Sequence, residues 1–184
     1  MRRRPHRGYT LAEMLAVCAV LSIAAVVAMP SAQPVAEFRA DTAAGEVVLA
    51  LRFARDEAMR TGASRMFSCE PQQNRILVVG LDTSVANETK PGQAVSQPGS
   101  RAPYSVQLNA APAGSNMSLA SCGFVFDDGT TATAVTFDEA GNPVRGTGSA
   151  VMRVKTLKAG TVLLGAGNVT RTISVDVTGR VTTS

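Results

Sequence analysis

Charged and apolar residues are sharply separated at the start of the chain. Four arginines lie among the first eight residues, and residues 14–36 contain no charged residue at all. A basic stretch before a long apolar run is typical of a membrane-directing segment whose arginines stay in the cytoplasm. We therefore predict a transmembrane helix over residues 9–35. Glu13 is the anomaly, because a carboxylate in lipid is costly unless it is paired, and this makes it a candidate functional residue.

Downstream of the apolar run, the pattern becomes that of an amphipathic helix. Between them, Pro30 and Pro34 remove two backbone donors, which predicts a kink or local melting of the helix. Small and apolar residues then recur at spacings of three and four: Ala40, Ala44, Val47, Leu51, Ala54 and Ala58. The pattern predicts that residues 36–62 are the amphipathic half of the helix, ending at Gly62. A face so rich in alanine predicts that a β-sheet packs closely against it.

From residue 63 onward, the sequence favours antiparallel β-structure, because Val and Thr dominate and Gly, Pro and Asn recur at short intervals. A Gly-Asn pair at Gly141 marks a hairpin turn, and residues 82–103 form a long polar loop. The predicted strands are 65–69, 75–81, 104–108, 118–126, 134–138, 150–156, 161–164 and 170–177.

The N-terminal motif resembles the processing site of type IV pilins and type II secretion pseudopilins. The resemblance rests on Gly8, the aromatic Tyr9, Thr10-Leu11, and Glu13 as the fifth residue after the glycine, with Pro30 at the family's helix kink. It implies that a prepilin peptidase cuts between Gly8 and Tyr9 and methylates the amine of Tyr9. It also implies that Glu13 pairs with the methylated amine of a neighbouring subunit during assembly.

The C-terminal part narrows this resemblance. A long helix, then Val135-Thr136-Phe137 before a Gly-Asn turn, and a closing segment at 173–181 are similar to H-type pseudopilins and T/U-type minor pilins. The implied fold is α+β, with a long N-terminal membrane-spanning helix packed on a C-terminal antiparallel two-sheet β-domain. The implied order is a leader at 1–8, a transmembrane or filament-core helix at 9–35, its amphipathic half at 36–62, and a periplasmic β-domain at 63–184.

This resemblance implies a low-abundance subunit near the filament tip that helps to prime assembly of a type II secretion pseudopilus or a type IV pilus. The expected location is the bacterial inner membrane, as a single-pass protein with its C-terminal domain in the periplasm. The expected partners are the prepilin peptidase, other major and minor pilins or pseudopilins, and membrane lipid.

Two simpler interpretations of the N-terminus are an ordinary signal peptide, removed near Ala28 to release a periplasmic β-protein, and a plain signal anchor. Neither accounts for a carboxylate at Glu13. The residue at the mature N-terminus distinguishes among the three.

Charge suggests one further hypothesis. The formal charge is +4, but removing the leader lowers the 18 basic side chains to 14, equal to the 14 acidic ones. The excess of positive charge is therefore local, beyond residue 140. If strands bring Lys155, Lys158 and Arg171 together with Arg180, these cations would form a DNA-binding surface, and the resemblance to minor pilins of DNA-uptake pili then implies a role in DNA uptake. Solvated cations that keep a sheet edge soluble are the alternative.

Catalytic chemistry is not indicated by the sequence. The single histidine, His6, lies in the leader, which excludes Ser–His and Cys–His catalysis and most zinc sites from the mature chain. Asp127-Asp128-Gly129 lacks the ligand spacing of a calcium loop and is typical of a turn. We expect no enzymatic activity, no cofactor and no bound metal.

The three cysteines allow one disulfide in the β-domain. Cys18 falls in the predicted membrane helix, which leaves Cys69 and Cys122 to meet in a compartment where disulfides persist. Two separately buried thiols are the alternative.

Overall fold

The computed structural model describes residues 9–28, 33–81, 91–110, 114, 116–145 and 154–184. Gly8, Pro30, residues 82–90 of the predicted loop and residues 150–153 of a predicted strand lie outside this set. The chain divides into two compact units, Met1–Pro34 and Val35–Ser184.

The first unit contains helix α1, Leu11–Ala28, whose large apolar side chains are exposed between Leu11 and Ile23. It begins at Leu11, two residues after Tyr9. No helix within the described residues is both long and apolar enough to cross a membrane. The transmembrane segment over 9–35 stays a prediction.

Helix α2, Gln33–Thr61, supplies one wall of the core of the second unit. Pro34 is its second residue, where a missing N–H costs nothing because the first turn has no intrahelical acceptor for it. The buried face comprises Ala40, Ala43, Ala44, Val47, Ala50, Leu51, Ala54 and Ala58, each at most 2% exposed. All six residues of the predicted face are therefore buried, and Ala43 and Ala50 widen it. The helix ends as predicted at Gly62, whose φ of +59° is left-handed.

Eleven antiparallel strands follow α2 in the described part of the chain. They are β1 (Arg65–Glu70), β2 (Arg75–Leu81), β3 (Pro91–Ala94), β4 (Ser105–Gln107), β5 (Met117–Phe126), β6 (Thr131–Ala132), β7 (Ala134–Phe137), β8 (Pro143–Arg145), β9 (Lys155–Ala166), β10 (Val169–Val175) and β11 (Val181–Thr183). A short 3-10 turn, Pro71–Gln73, joins β1 to β2.

The strands form two groups that β9 joins. In the first group, β7 and β2 flank β1, β3 and β4 pair with β2, and β8 pairs with β7. In the second group, β9 pairs with β5 and β10, while β11 borders β10 and β6 borders β5. Two residue pairs between β8 and β9, including Val144 with Thr156, link the groups. The buried side chains of both groups and of α2 form one hydrophobic cluster.

The predicted break within β9 is wrong. The sequence suggested strands at 150–156 and 161–164 with a gap over residues 157–160, whereas the structure has one strand from Lys155 to Ala166. A Cβ on Gly160 would lie 2.5 Å from the nearest ring atom of Phe124 on the adjacent strand β5. Gly160 therefore marks the close approach of an aromatic ring within a strand, and not a turn.

The predicted loop over 82–103 also contains structure in its described half. Strand β3 pairs with β2, and the segment that follows turns back on itself through the pairing of Ser96 with Pro103. Tyr104 then stacks on Phe53 of α2, with ring centroids 4.6 Å apart. This segment thus covers one side of α2.

Candidate assembly site

The start of α1 is capped by a reciprocal pair of side chains, Thr10 and Glu13. The backbone N–H and the hydroxyl of Thr10 donate to Glu13 Oε2 over 3.0 and 3.2 Å, and the N–H of Glu13 donates to Thr10 Oγ1 over 3.3 Å. This is a capping box, in which each side chain satisfies a donor that the first helical turn leaves free. The carboxylate predicted to need an external partner therefore already has donors within its own chain.

Sequence reasoning missed the role of Thr10, although the pattern Thr-x-x-Glu before an apolar run signals it. Among the described residues, Glu13 Oε1 has no hydrogen-bond partner. Thr10 and Glu13 are both exposed. One carboxylate oxygen thus holds the helix end, while the other has no partner within the described part of the chain.

The body of α1 presents an apolar surface that nothing in the described part of the chain covers. Tyr9 is 81% exposed, and the exposed side chains include Leu11, Met14, Leu15, Val17, Val20, Leu21 and Ile23. A helix that is apolar on all sides is buried in a membrane or among other helices in the assembled protein. The open oxygen of Glu13 lies at the N-terminal end of this surface.

The four cations that the DNA hypothesis grouped do not form a free basic patch. Lys155 Nζ lies 2.7 Å from an oxygen of Asp128, and Arg171 Nε lies 2.6 Å from an oxygen of Asp41 on α2. The first contact, with two hydrogen bonds from Thr130, holds the pKa of Asp128 well below its usual range. The hydrogen bond to Asp41 raises the pKa of the Arg171 guanidinium.

Two of the four charges are therefore offset by carboxylates. The other two, Lys158 on β9 and Arg180 in the turn between β10 and β11, are exposed. The backbone of Arg180 is fixed in this turn, because its N–H donates a hydrogen bond to Asp176 Oδ1 over 3.0 Å.

Cys69 and Cys122 form a disulfide in the structure, and Cys18 is an exposed free thiol on α1. Cys69 lies on β1 and Cys122 on β5, with 6.3 Å between their Cα atoms. The bond therefore ties the first strand group to the second at a point where β1 and β5 do not pair.

The described residues do not form a metal centre. They contain no group of three His, Cys, Asp or Glu side chains able to hold a metal ion. One crevice of about 590 Å³ lies between α2 and the segment after β3, lined by residues that include Phe53, Glu57, Arg60 and Arg65. Arg60 and Glu57 there form an ion pair at 2.7 Å, so the lining charges are partly matched.

The sequence profile of type II transport protein GspH matches residues 43–179, which is most of the chain. The chain belongs to the GspH family. A second profile, the prokaryotic N-terminal methylation motif, matches residues 3–29 of this GspH-family protein. The predicted family is thereby confirmed at both ends of the chain.

Solved structures of minor pilins and pseudopilins align with this GspH-family protein at low sequence identity. The minor pseudopilin EpsH from the type 2 secretion system of Vibrio cholerae aligns with a TM-score of 0.51 and 11% identity, over 79% of this chain and 96% of that chain. The type IV minor pilin FimU of Pseudomonas aeruginosa aligns with a TM-score of 0.47 and 16% identity, over 84% of this chain and 92% of that chain. None of the curated protein sequences matches the chain.

The EpsH alignment confirms the predicted α+β, pilin-like fold, in which α2 packs on an antiparallel β-domain. GspH-family membership confirms the predicted role as a minor pilin or pseudopilin subunit. The family and fold are those of structural subunits and not those of enzymes.

Proposed function

We propose that this GspH-family chain is a minor pseudopilin that helps to prime assembly of a type II secretion pseudopilus near its tip. The observation that carries the proposal is the uncovered apolar surface of α1 with the capped Glu13 at its beginning. The folded second unit buries a hydrophobic core of its own. The family description, a type II transport protein, favours secretion over a pilus.

Processing precedes assembly in this proposal. A prepilin peptidase cuts between Gly8 and Tyr9 on the cytoplasmic face of the inner membrane and methylates the amine of Tyr9. The match to the N-terminal methylation motif supports this step. Because α1 begins at Leu11, Tyr9 precedes the first helical turn.

The charge of Glu13 then selects the neighbouring subunit. Oε2 keeps the helix capped through Thr10, and Oε1 accepts from the methylated amine of Tyr9 on another subunit. In a low-dielectric bundle, the attraction between amine and carboxylate is strong and either charge alone is costly, so the pair fixes the register of the helices.

Two variants separate the charge of Glu13 from its capping role. Glu13→Gln keeps an oxygen that can cap Thr10 but loses the negative charge, whereas Thr10→Ala keeps the charge and loses the cap. We expect both variants to be cleaved, and filament incorporation to fall about tenfold or more only in Glu13→Gln, since a buried amine left unpaired costs several kcal/mol. Immunoblotting of isolated filaments measures incorporation. Normal incorporation of Glu13→Gln would refute the pairing.

The DNA-uptake alternative gains no support from the described residues. Lys155 and Arg171 are paired with carboxylates, which leaves Lys158 and Arg180 as the exposed members of the set. We expect a titration of residues 35–184 with duplex DNA at low salt to show no binding that depends on these two residues. Salt-sensitive binding lost in Arg180→Ala would reinstate the alternative.

A further inference from the structure

The two ends of the disulfide differ in how easily another molecule can reach them. Cys69 is 3% exposed on β1, a strand that is paired on one side with β2 and on the other with β7. Cys122 is half-buried on β5. Thiol–disulfide exchange requires the attacking sulfur to approach the sulfur to which it bonds. Burial therefore protects Cys69 and leaves Cys122 as the accessible end of the bond.

The backbone around Cys122 is open on one side. Strand β5 pairs with β9 along its length, but its other edge pairs with β6 only beyond Cys122, starting at Phe124. Before Cys122, the backbone N–H of Leu119 donates to the side chain of Asn74 over 2.9 Å. Residues 120–123 lie between these two contacts, and no strand of the described part of the chain pairs with their outer edge. We call residues 120–123 the β5 gap.

The β5 gap is irregular, and its side chains are small. The register between β5 and β9 shifts between Leu119 and Ser121, which places a bulge next to Cys122. Ala120 and Ser121 are exposed, and Gly123 has no side chain. No large side chain of the gap itself therefore screens the sulfur of Cys122 from an approaching molecule.

We propose that Cys122 is the exchange site of this disulfide: the residue that forms a mixed disulfide with an incoming molecule while the domain stays folded. The reacting molecule that closes the bond is an oxidant that itself carries a disulfide. The inference goes beyond the proposed function and does not depend on it, because it concerns the second unit alone.

The exchange proceeds in two steps. In the reduced domain, the thiolate of Cys122 attacks one sulfur of the oxidant's disulfide, which forms the mixed disulfide and releases the oxidant's other sulfur as a thiolate. The thiolate of Cys69 then attacks the sulfur of Cys122, which closes the native bond and releases the second sulfur of the oxidant. Two electrons pass from the cysteine pair to the oxidant, and the two protons that the cysteines lose end on its two thiols. Reduction reverses these steps, with a thiolate attacking Cys122 and Cys69 leaving.

The competing account is exchange through an opened domain, in which both cysteines become accessible together. The surroundings of Cys69 make such opening extensive, because its backbone N–H donates to the carbonyl of Thr133 over 3.0 Å and β1 is paired on both sides. Kinetics distinguishes the two accounts. The rate of direct attack rises in proportion to the concentration of the attacking thiol, whereas a rate limited by opening stops rising.

The first measurement starts from the native bond, so that the domain is folded throughout. The full-length chain with Cys18→Ser retains only the two cysteines of the bond. It is treated briefly with reduced glutathione at increasing concentrations, the reaction is stopped with acid, and the glutathione adduct is located by peptide mapping. We expect the adduct on Cys122, a free thiol at Cys69, and a rate proportional to the glutathione concentration. An adduct mainly on Cys69, or a rate that levels off, would overturn the proposal.

The second measurement follows the oxidative direction with two matched variants. Cys69→Ser and Cys122→Ser, each in the Cys18→Ser background, leave one thiol apiece and are treated with glutathione disulfide. We expect the thiol of Cys122 to be modified about tenfold or more faster than that of Cys69 in the folded chain, because burial limits access to Cys69. In concentrated urea the two rates should become similar.

Equal rates in variants that circular dichroism shows to be folded contradict the proposal, as does faster modification of Cys69. If either variant fails to fold, the first measurement decides, because it needs no substitution at Cys69 or Cys122. Neither measurement involves filaments, so failure of the exchange site leaves the proposed function intact, and failure of the proposed function leaves the exchange site intact.

Discussion

Opening the disulfide between Cys69 and Cys122 should remove a large part of the stability of the second unit. The bond closes a segment of 53 residues and joins the two strand groups. The chain-entropy relation for a loop of this length gives about 4 kcal/mol at 25 °C. That is a large share of the about 5–15 kcal/mol that holds an ordinary domain folded.

The assay is urea unfolding of residues 35–184, comparing the oxidised domain with the reduced domain and with the double variant Cys69→Ala/Cys122→Ala. Reduction isolates the covalent bond, whereas the double variant also removes the packing of Cys69, which is 3% exposed. Cys18 lies outside this domain and does not interfere. A loss below about 1 kcal/mol on reduction would refute the reasoning, as would two thiols alkylated in the unreduced, denatured domain.

Two further predictions concern β9. Gly160→Ala should destabilise the domain by about 1–3 kcal/mol, because its Cβ would overlap the ring of Phe124. Gly123→Ala, where the added Cβ meets no atom closer than 3.7 Å, is the matched control for the urea experiment. The folded state lowers the pKa of Asp128 from its usual value of 3.8, so the ionised carboxylate stabilises the fold above pH 3.8. This stabilisation is lost as the pH falls further. Asp128→Asn should flatten that acid limb in thermal unfolding, and an unchanged limb would contradict the role given to the contact with Lys155.

Helix α2 was predictable from sequence because two physical signals decided it. Spacings of three and four placed the buried face on the correct side, and the left-handed Gly62 marked its end. Both signals are local, since they depend on residues within one or two turns of each other.

Strand β9 was not predictable in the same way. Glycine favours turns in general. Only the close approach of the Phe124 ring, which belongs to another strand, explains why Gly160 lies inside a strand. The basic residues were misjudged for a similar reason. The sequence shows Lys155 and Arg171 only as positively charged residues. Their carboxylate partners lie 27 and 130 residues away in the chain, so the pairing could not be read from the sequence.

Thr10 is the opposite case, because its capping role was readable from four consecutive residues and was overlooked in favour of a role for Glu13 between subunits. The structure gives Glu13 both a local function and an open oxygen. A residue's resemblance to a family motif therefore does not replace an account of its immediate neighbours.

The mature N-terminus of the chain in isolated filaments tests the central claim most directly. Mass spectrometry of the filament-bound protein should find Tyr9 as the first residue, carrying a methylated amine, and Gly8→Glu should leave an uncut precursor in the membrane fraction. A chain that begins near Met29, released into the periplasm and absent from filaments, would contradict the account.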